Sequence, residues 1–371
     1  MKPITLGVEE EFLVVDAATG ALVPRSHQLL PRARDVLGED VAPELNLCQI
    51  EVGTPVCHTL DEVRGHLARL RVGLHESGER LGVAVAATAT HPFSWWQHQQ
   101  VDLSNERYSR MDDTYQIVAR EQVICGCHVH VGVGDGDLAI EVMNRVRPWL
   151  PVLLALSANS PFWQGLDTGY ASYRLQVWQR WPTSGMPPDL PSRHHYDDLV
   201  RALQEIEAVE DATFLYWYAR PSARFPTLEF RVCDVCLDVE HTVTIAGLIR
   251  ALAWTKVQEA SAGRLAVFPP REVMEAAVWR AARYGLEGSL VSPGSWKITP
   301  AIDVVDELLE HVREGLEAHK DWDRVSEGVD DLIGRGNGAT IQRRAFRRRG
   351  DGREVVGEIL DRTLPAALPS P

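Results

Sequence analysis

Pairs of polar residues two positions apart recur inside apolar runs of this sequence. Glu9 and Glu11 lie in Leu6-Gly7-Val8-Glu9-Glu10-Glu11-Phe12-Leu13-Val14-Val15. His128 and His130 lie in Gly126-Cys127-His128-Val129-His130-Val131-Gly132-Val133, and Glu229 and Arg231 in Leu228-Glu229-Phe230-Arg231-Val232. On a β-strand such pairs share a face while their apolar neighbours point the other way. Carboxylates rarely enter a sheet unless cations or a metal compensate them, the alternative for a single such strand being an edge strand with one wet face. Several such strands side by side would make one apolar face for helices and one acidic face for ions. The stretch Glu44 to Val52 reads as extended and adds Glu44 and Glu51, whose separation has the wrong parity for one face. Both point inward only if a bulge or bend intervenes. A ligand set of carboxylate oxygens with an imidazole favours Mg²⁺ or Mn²⁺ over zinc. Divalent cations beside arginines suit a polyanion, and ATP is the common polyanion that needs them for phosphoryl transfer.

Two residues on these strands carry a different expectation. Glu10 has the opposite parity to its neighbours and is expected to be a buried, hydrogen-bonded acid facing the helix layer. His130 shares the face of His128 but reads as a structural histidine rather than a ligand.

The elements that must position these residues follow from periodicity. Residues 4–15 read as a strand, Asp16 to Gly20 as a turn into a second short strand, and Ser26 to Leu37 as a helix. Residues 59–81 form an amphipathic helix, with Leu60, Val63, Leu67, Leu70 and Leu74 at three- and four-residue steps. Val83 to Thr88 is a strand running into a loop at Thr90-His91-Pro92-Phe93, and residues 113–122 are helical. Val123 to Val133 is a strand ending in a turn at Gly134-Asp135-Gly136, followed by a helix over 137–158 bent at Pro148 and Pro151. The segment 160–191 has little periodicity, yet Trp163, Trp178 and Trp181 argue against disorder. A helix at 195–208, strands at 213–219 and 227–234, and helices at 238–262, 271–284 and 301–317 follow, with a charged, mostly helical segment from 322. Strands scattered among helices predict an α+β fold, and without a linker or repeat residues 1–371 read as a single catalytic domain.

Composition narrows the classes. The chain has 371 residues, 45% of them hydrophobic, and a net charge of −14, which argues against a general nucleic-acid binder. No stretch reaches the roughly 20 apolar residues of a membrane span. The N-terminus does not read as a secretory signal, and six cysteines in this length do not read as a disulfide scaffold. The expectation is a soluble cytoplasmic protein. Neither G-x-x-x-x-G-K-[ST] nor G-x-G-x-x-G occurs, so the usual phosphate loops are missing. Cys125, Cys127, Cys233 and Cys236 suggest a zinc site with His128 and His130, but the cysteines and histidines of the 125–130 strand lie on opposite faces. The basic run Arg343 to Arg349 reads as a solvated helix face.

In order along the chain, GVEEEF, ELNLCQIEVGTP, ATATHPF, GCHVHVGV, LSANSPFWQGLDTGYASYR and RFPTLEFRVCD resemble the glutamate–cysteine ligase type 2 (carboxylate–amine ligase) family, with a weaker echo at Gly334 to Ala339. The resemblance implies a glutamine synthetase-like catalytic fold: a curved, mainly antiparallel sheet with metals on its concave face and helices behind. It implies an ATP-dependent ligase that phosphorylates a small carboxylic acid, glutamate in the named activity, and joins it to an amine, cysteine. A homodimer is a family-level expectation. Carried over by motif, Glu9, Glu11, Glu51 and Glu229 match metal-binding acids, Glu44 a further acid, His128 a metal or phosphate contact, and Arg231 an arginine that meets the transferred phosphoryl group. The aromatic segment 160–181 is expected to cover the site, with Arg174 reaching the substrate carboxylate. His91, Asn159, Ser160, Arg220 and Arg335 are candidates for substrate or nucleotide contacts, each with a structural alternative. Two rival functions stay open: a ligase joining a protein's side-chain carboxylate to lysine, and a metal-dependent hydrolase or non-catalytic metal-binding protein.

Overall fold

The computed structural model of the chain describes residues 4–134, 136–266 and 268–365. Asp135 of the expected turn, and the end of the chain after residue 365, lie outside them. The frame is an antiparallel sheet built around β1 (Leu6–Asp16). In chain order its other strands are β2 (Val41–Pro43), β3 (Gln49–Gly53), β4 (Val83–Ala86), β5 (Cys127–Val131), β8 (Ala219–Pro221) and β9 (Leu228–Phe230). They lie in the order β2-β3-β1-β5-β9-β8, with β4 pairing the end of β1 from Leu13 to Asp16. Two small hairpins stand apart: β6 (Phe162–Trp163) with β7 (Leu166–Asp167), and β10 (Ser289–Val291) with β11 (Ile298–Pro300).

Register explains why the polar pairs meet. Directly opposite residues in an antiparallel ladder share a face. Glu11 lies opposite Glu51, Glu9 opposite His128, His130 opposite Glu229, and Glu229 opposite Arg220. The alternation read from each segment is thereby assembled into one row crossing five strands.

The opposite face is apolar and carries helices. Leu6, Val8, Val129 and Val131 pack with Leu60, Val63 and Leu67 of the helix Leu60–Glu79, and with Val243 and Ile245 of the helix Val239–Ser261. The first helix starts with a capping box: the Thr59 hydroxyl accepts from the Glu62 N–H, and the Glu62 carboxylate accepts from the Thr59 N–H. Asp238 caps the second through the His241 N–H. Glu10 lies on this face, fully buried, and takes two bonds from Arg71 at 2.5 and 2.9 Å and one from the Thr242 hydroxyl. The opposite-parity acid is thus the hydrogen-bonded group expected of it.

The segment from 137 to 158 breaks at its prolines into the helix Asp137–Val146, a 3₁₀ turn Arg147–Trp149 and the helix Leu150–Ser157. Several boundaries differ from expectation. The stretch from Glu44 to Val52 is not one strand; a turn at Leu47 and Cys48 leads into β3, so β2 and β3 form a hairpin. Helical structure begins at Glu106, and Gln116, with φ of 52°, separates Glu106–Tyr115 from Ile117–Arg120. The expected strand at 213–219 is mostly a 3₁₀ turn, Ala212–Phe214, with only Ala219 entering β8. The cysteines are free and buried, and none belongs to a metal-type cluster among the described residues.

Candidate functional site

The polar face floors a cavity of about 390 Å³. Glu9, Glu11, Glu44, Glu51, His128, His130, Glu229, Arg220 and Arg231 all line it. The near wall comes from Asn105, Arg107, Tyr108 and Met111, and the far wall from Tyr216 and the loop Ser222 to Phe225. A second cavity of about 830 Å³ adjoins it and shares Glu9, His130 and Phe225; Gly7, Gly53, Gly132 and Gly134 leave its floor open, with Val56 and Pro226 beside them.

Seven carboxylate and imidazole side chains converge as three overlapping groups: Glu9 with His130 and Glu229, Glu9 with Glu51 and His128, and Glu11 with Glu44 and Glu51. Within each, one potential ligand atom per residue lies within 4.8 Å of the others. His128 Nδ1 is 3.3 Å from Glu9 and 4.0 Å from Glu229, and its Nε2 is 3.5 Å from Glu11. His130 Nε2 is 3.4 Å from Glu9, while its Nδ1 is fixed by the Thr227 hydroxyl at 2.9 Å. Glu11 accepts the Gly126 N–H at 2.6 Å. Gly126 must be glycine there, because a Cβ would stand 2.3 Å from the Arg174 guanidinium and 3.1 Å from His128.

Charge is distributed unevenly. Burial raises Glu229, but Arg220 and Arg231 outweigh it and hold the carboxylate well below its usual range. Arg220 donates to Glu229 at 2.8 Å and to the Thr213 and Leu215 carbonyls, and Arg231 donates to the same carboxylate. Burial also raises Glu9, but hydrogen bonds from both histidines bring it below the usual range. Glu44 and Glu51 have no ion pair among the described residues. Burial and the charge of Glu11 push Glu44 up to about 7, and burial with the charges of Glu9, Glu44 and Glu11 pushes Glu51 well above its usual range. His128 Nε2 is buried without a hydrogen bond. Carboxylates that repel one another, mostly oxygen donors and an orphaned imidazole nitrogen fit a shared hard divalent cation.

Other expected contacts lie elsewhere. Arg174 does not line the cavity; it is 3% exposed, stacks over Trp178 and donates to the Arg231 and Val232 carbonyls beside Asp234. Asn159 and Ser160 are likewise absent from its wall: the Asn159 N–H and Ser160 hydroxyl both donate to Asp234, and the Asn159 amide bridges the Ala87 and Val235 carbonyls. Asp234 also ties down Ser172, and no residue of the 160–181 segment lines the cavity. Arg335 is exposed and pairs with Asp331 in its own helix. His91 staples a loop, bonding the Gly20 carbonyl through Nε2 and accepting from Phe93 and Ser94 through Nδ1. None of these five side chains lines the cavity: Arg174, Asn159, Ser160 and His91 make structural bonds, and Arg335 makes a surface ion pair.

His91 has a measurable consequence. Burial holds its imidazole neutral down to about 4, against an ordinary 6.5. Between those values the unfolded chain binds the proton that the folded chain refuses. Its contribution is therefore intact above pH 6.5 and lost as pH falls towards 4, by up to about 3 kcal/mol. Urea denaturation from pH 7 to 4.5 should show a shallower loss in His91→Gln than in the parent.

One cavity residue is read from sequence as structural, and others carry no signal there. His130 stands among Glu9 and Glu229 rather than apart from them, and its two-residue spacing from His128 was the available signal. Arg107, Tyr108 and Tyr216 come from a helix and a loop with no motif to mark them.

Comparison with known proteins bears on the fold. A crystal structure of glutamate–cysteine ligase from Francisella tularensis in complex with AMP matches with a TM-score of 0.70 at 13% identity, covering 98% of this chain and 90% of that one. A bifunctional glutathione synthetase from Pasteurella multocida also matches at 0.70 with 16% identity, covering 97% of this chain and 52% of that one. At such identities the likeness is one of fold, and it agrees with the expected sheet-and-helix architecture. A Nocardia farcinica protein named "Putative glutamate--cysteine ligase 2-1" is 41% identical over 99% of this chain and 95% of its own length. A Frankia casuarinae protein named "Putative glutamate--cysteine ligase 2-2" is 44% identical over 97% of this chain. The chain spans about two fifths of the length of that relative and of one from Frankia alni, 41% and 42%. The family model for glutamate–cysteine ligase family 2 matches residues 5–362, and the chain belongs to that family.

Proposed function

We propose that the chain is an ATP-dependent carboxylate–amine ligase acting on a glutamate-like acid and a cysteine-like amine. The observation that carries this reading is the convergence of five glutamates and two histidines with Arg220 and Arg231 in one cavity. In the first step a substrate carboxylate oxygen attacks the γ-phosphorus of ATP, releasing ADP and leaving an acyl phosphate. In the second the amine nitrogen attacks the acyl carbon, the C–O bond to phosphate breaks, and amide and phosphate are formed.

Mg²⁺ or Mn²⁺, held by Glu9, Glu11, Glu44, Glu51, His128, His130 and Glu229, would neutralise phosphate oxygens and the charge that develops during transfer. The chain's own part is to fix positive charge and to keep water away. Arg231 and Arg220 are pinned by Glu229, and both line the cavity, so their positive charge is fixed beside the phosphoryl group without reorganisation. Tyr108, Met111 and Tyr216 wall the acyl phosphate from bulk water. The adjoining cavity, lined by Gly7, Leu6, Val8, Val56 and Phe225, suits an adenine ring, which supports a nucleotide on that side and the acid on the side of Arg107.

The test is ADP release with Mg²⁺ or Mn²⁺, across glutamate and related acids against a panel of amines. The reading expects release to require acid, amine and cation together. Release without an amine, or amide formation only with a protein carboxylate and lysine, would point to the rival functions instead.

A further inference from the structure

The acidic cavity raises a problem of charge. An α-amino dicarboxylic acid brings two carboxylates; one is to be phosphorylated, and the other needs a cation. Arg220 and Arg231 share the single carboxylate of Glu229, and their remaining charge is assigned to the phosphoryl group. Arg174, the residue expected for this task, is sealed in the core beside Asp234. Arg107 is different. It lies in the first turn of the helix Glu106–Tyr115, which Asn105 caps by accepting the Arg107 N–H at 3.0 Å. Its guanidinium lines the cavity and lies 4.5 Å from the centre of the Phe214 ring, with no ion pair or hydrogen bond among the described residues. Stacking on an aromatic face orients a guanidinium while leaving its N–H groups free. Arg107 borders the acidic cavity and not the glycine-floored annex.

We infer that Arg107 is the specificity residue of the acid subsite, receiving the substrate's second carboxylate, the one not activated by phosphorylation. This deepens the ligase reading and rests on it. A planar guanidinium fixed by Phe214 matches a carboxylate bidentately, whereas a lysine would offer a point charge. The predicted selectivity is for dicarboxylic amino acids over acids that lack the second carboxylate.

The experiment compares glutamate with 4-aminobutyrate, which keeps the reacting carboxylate and lacks the other. Equilibrium binding, with Mg²⁺ and a non-hydrolysable ATP analogue present, is measured beside kcat/KM from ADP release. The parent should favour glutamate in both. Arg107→Ala should lower kcat/KM for glutamate about 10- to 100-fold, the worth of one charge-assisted pair. With 4-aminobutyrate, already missing the partner group, the substitution should cost little more. Arg107→Lys should restore part of the preference, and the KM for ATP should not move; thermal melts check that both variants fold. A glutamate preference that survives Arg107→Ala, a parent that binds both acids equally, or a KM for ATP that rises in step would each overturn the inference. If the parent releases no ADP with any acid and amine, the ligase reading fails, and the binding arm still decides the role of Arg107.

Discussion

Glu51→Gln is expected to lower ADP release more than about 100-fold, beyond the usual cost of losing a residue that merely supports a metal ligand. The same substitution should change the stability of the metal-free protein by less than about 1 kcal/mol. Both follow from one electrostatic fact. Burial and the neighbouring charges of Glu9, Glu44 and Glu11 raise Glu51 well above its usual range, so its charged form is disfavoured without a cation. Glutamine keeps the size of the side chain and removes the charge that burial and the neighbouring acids disfavour. It cannot become the anion that a divalent cation needs, so the loss is confined to the loaded state. Mg²⁺ provides the link between the two measurements. Added at about 100 times its dissociation constant, it should stabilise the parent by about 2.7 kcal/mol and the variant by much less. Activity within tenfold of the parent, or an unchanged Mg²⁺ shift, would remove Glu51 from the cation site.

Arg71→Met should be the most destabilising single change away from the cavity, at about 3–5 kcal/mol. Arg71 and Glu10 are both fully buried. Arg71 also donates to the carbonyls of Cys236, Leu237 and Thr363, joining the helix Leu60–Glu79 to the lead-in of Val239–Ser261 and to the end of the helix Gly352–Thr363. Methionine fills much of the volume but leaves a buried carboxylate with only the Thr242 hydroxyl and strands three carbonyls. Adding Glu10→Gln should recover part of the loss by removing the orphaned charge. Urea midpoints for the two single variants and the double variant give the coupling directly. If Arg71→Met costs less than the double variant, the pair is not the keystone described.

The polar pairs on β1, β5 and β9 were legible because strand parity is a local property: residues two apart face the same way whatever they later touch. The same rule set Glu10 apart from Glu9 and Glu11, and the spacing of leucines marked the helix Leu60–Glu79. Family resemblance then supplied the order of the motifs and the reaction type that is proposed. The Glu44–Glu51 problem had no local solution, because the turn that brings both acids inward is recognised only once β2 pairs with β3.

Arginines marked the limit of local reading. Arg174, Arg220, Arg231 and Arg107 look alike in sequence, and what separates them is the company each keeps: Asp234 and Trp178, Glu229, or a bare Phe214 ring. The amino-acid sequence by itself determined the facing of the strands, the acidic character of one sheet surface and the family. Tertiary structure alone decided which guanidinium stays unneutralised and which loop walls the cavity. Facing depends on a two-residue backbone repeat, whereas neutralisation depends on distances between side chains far apart in the chain.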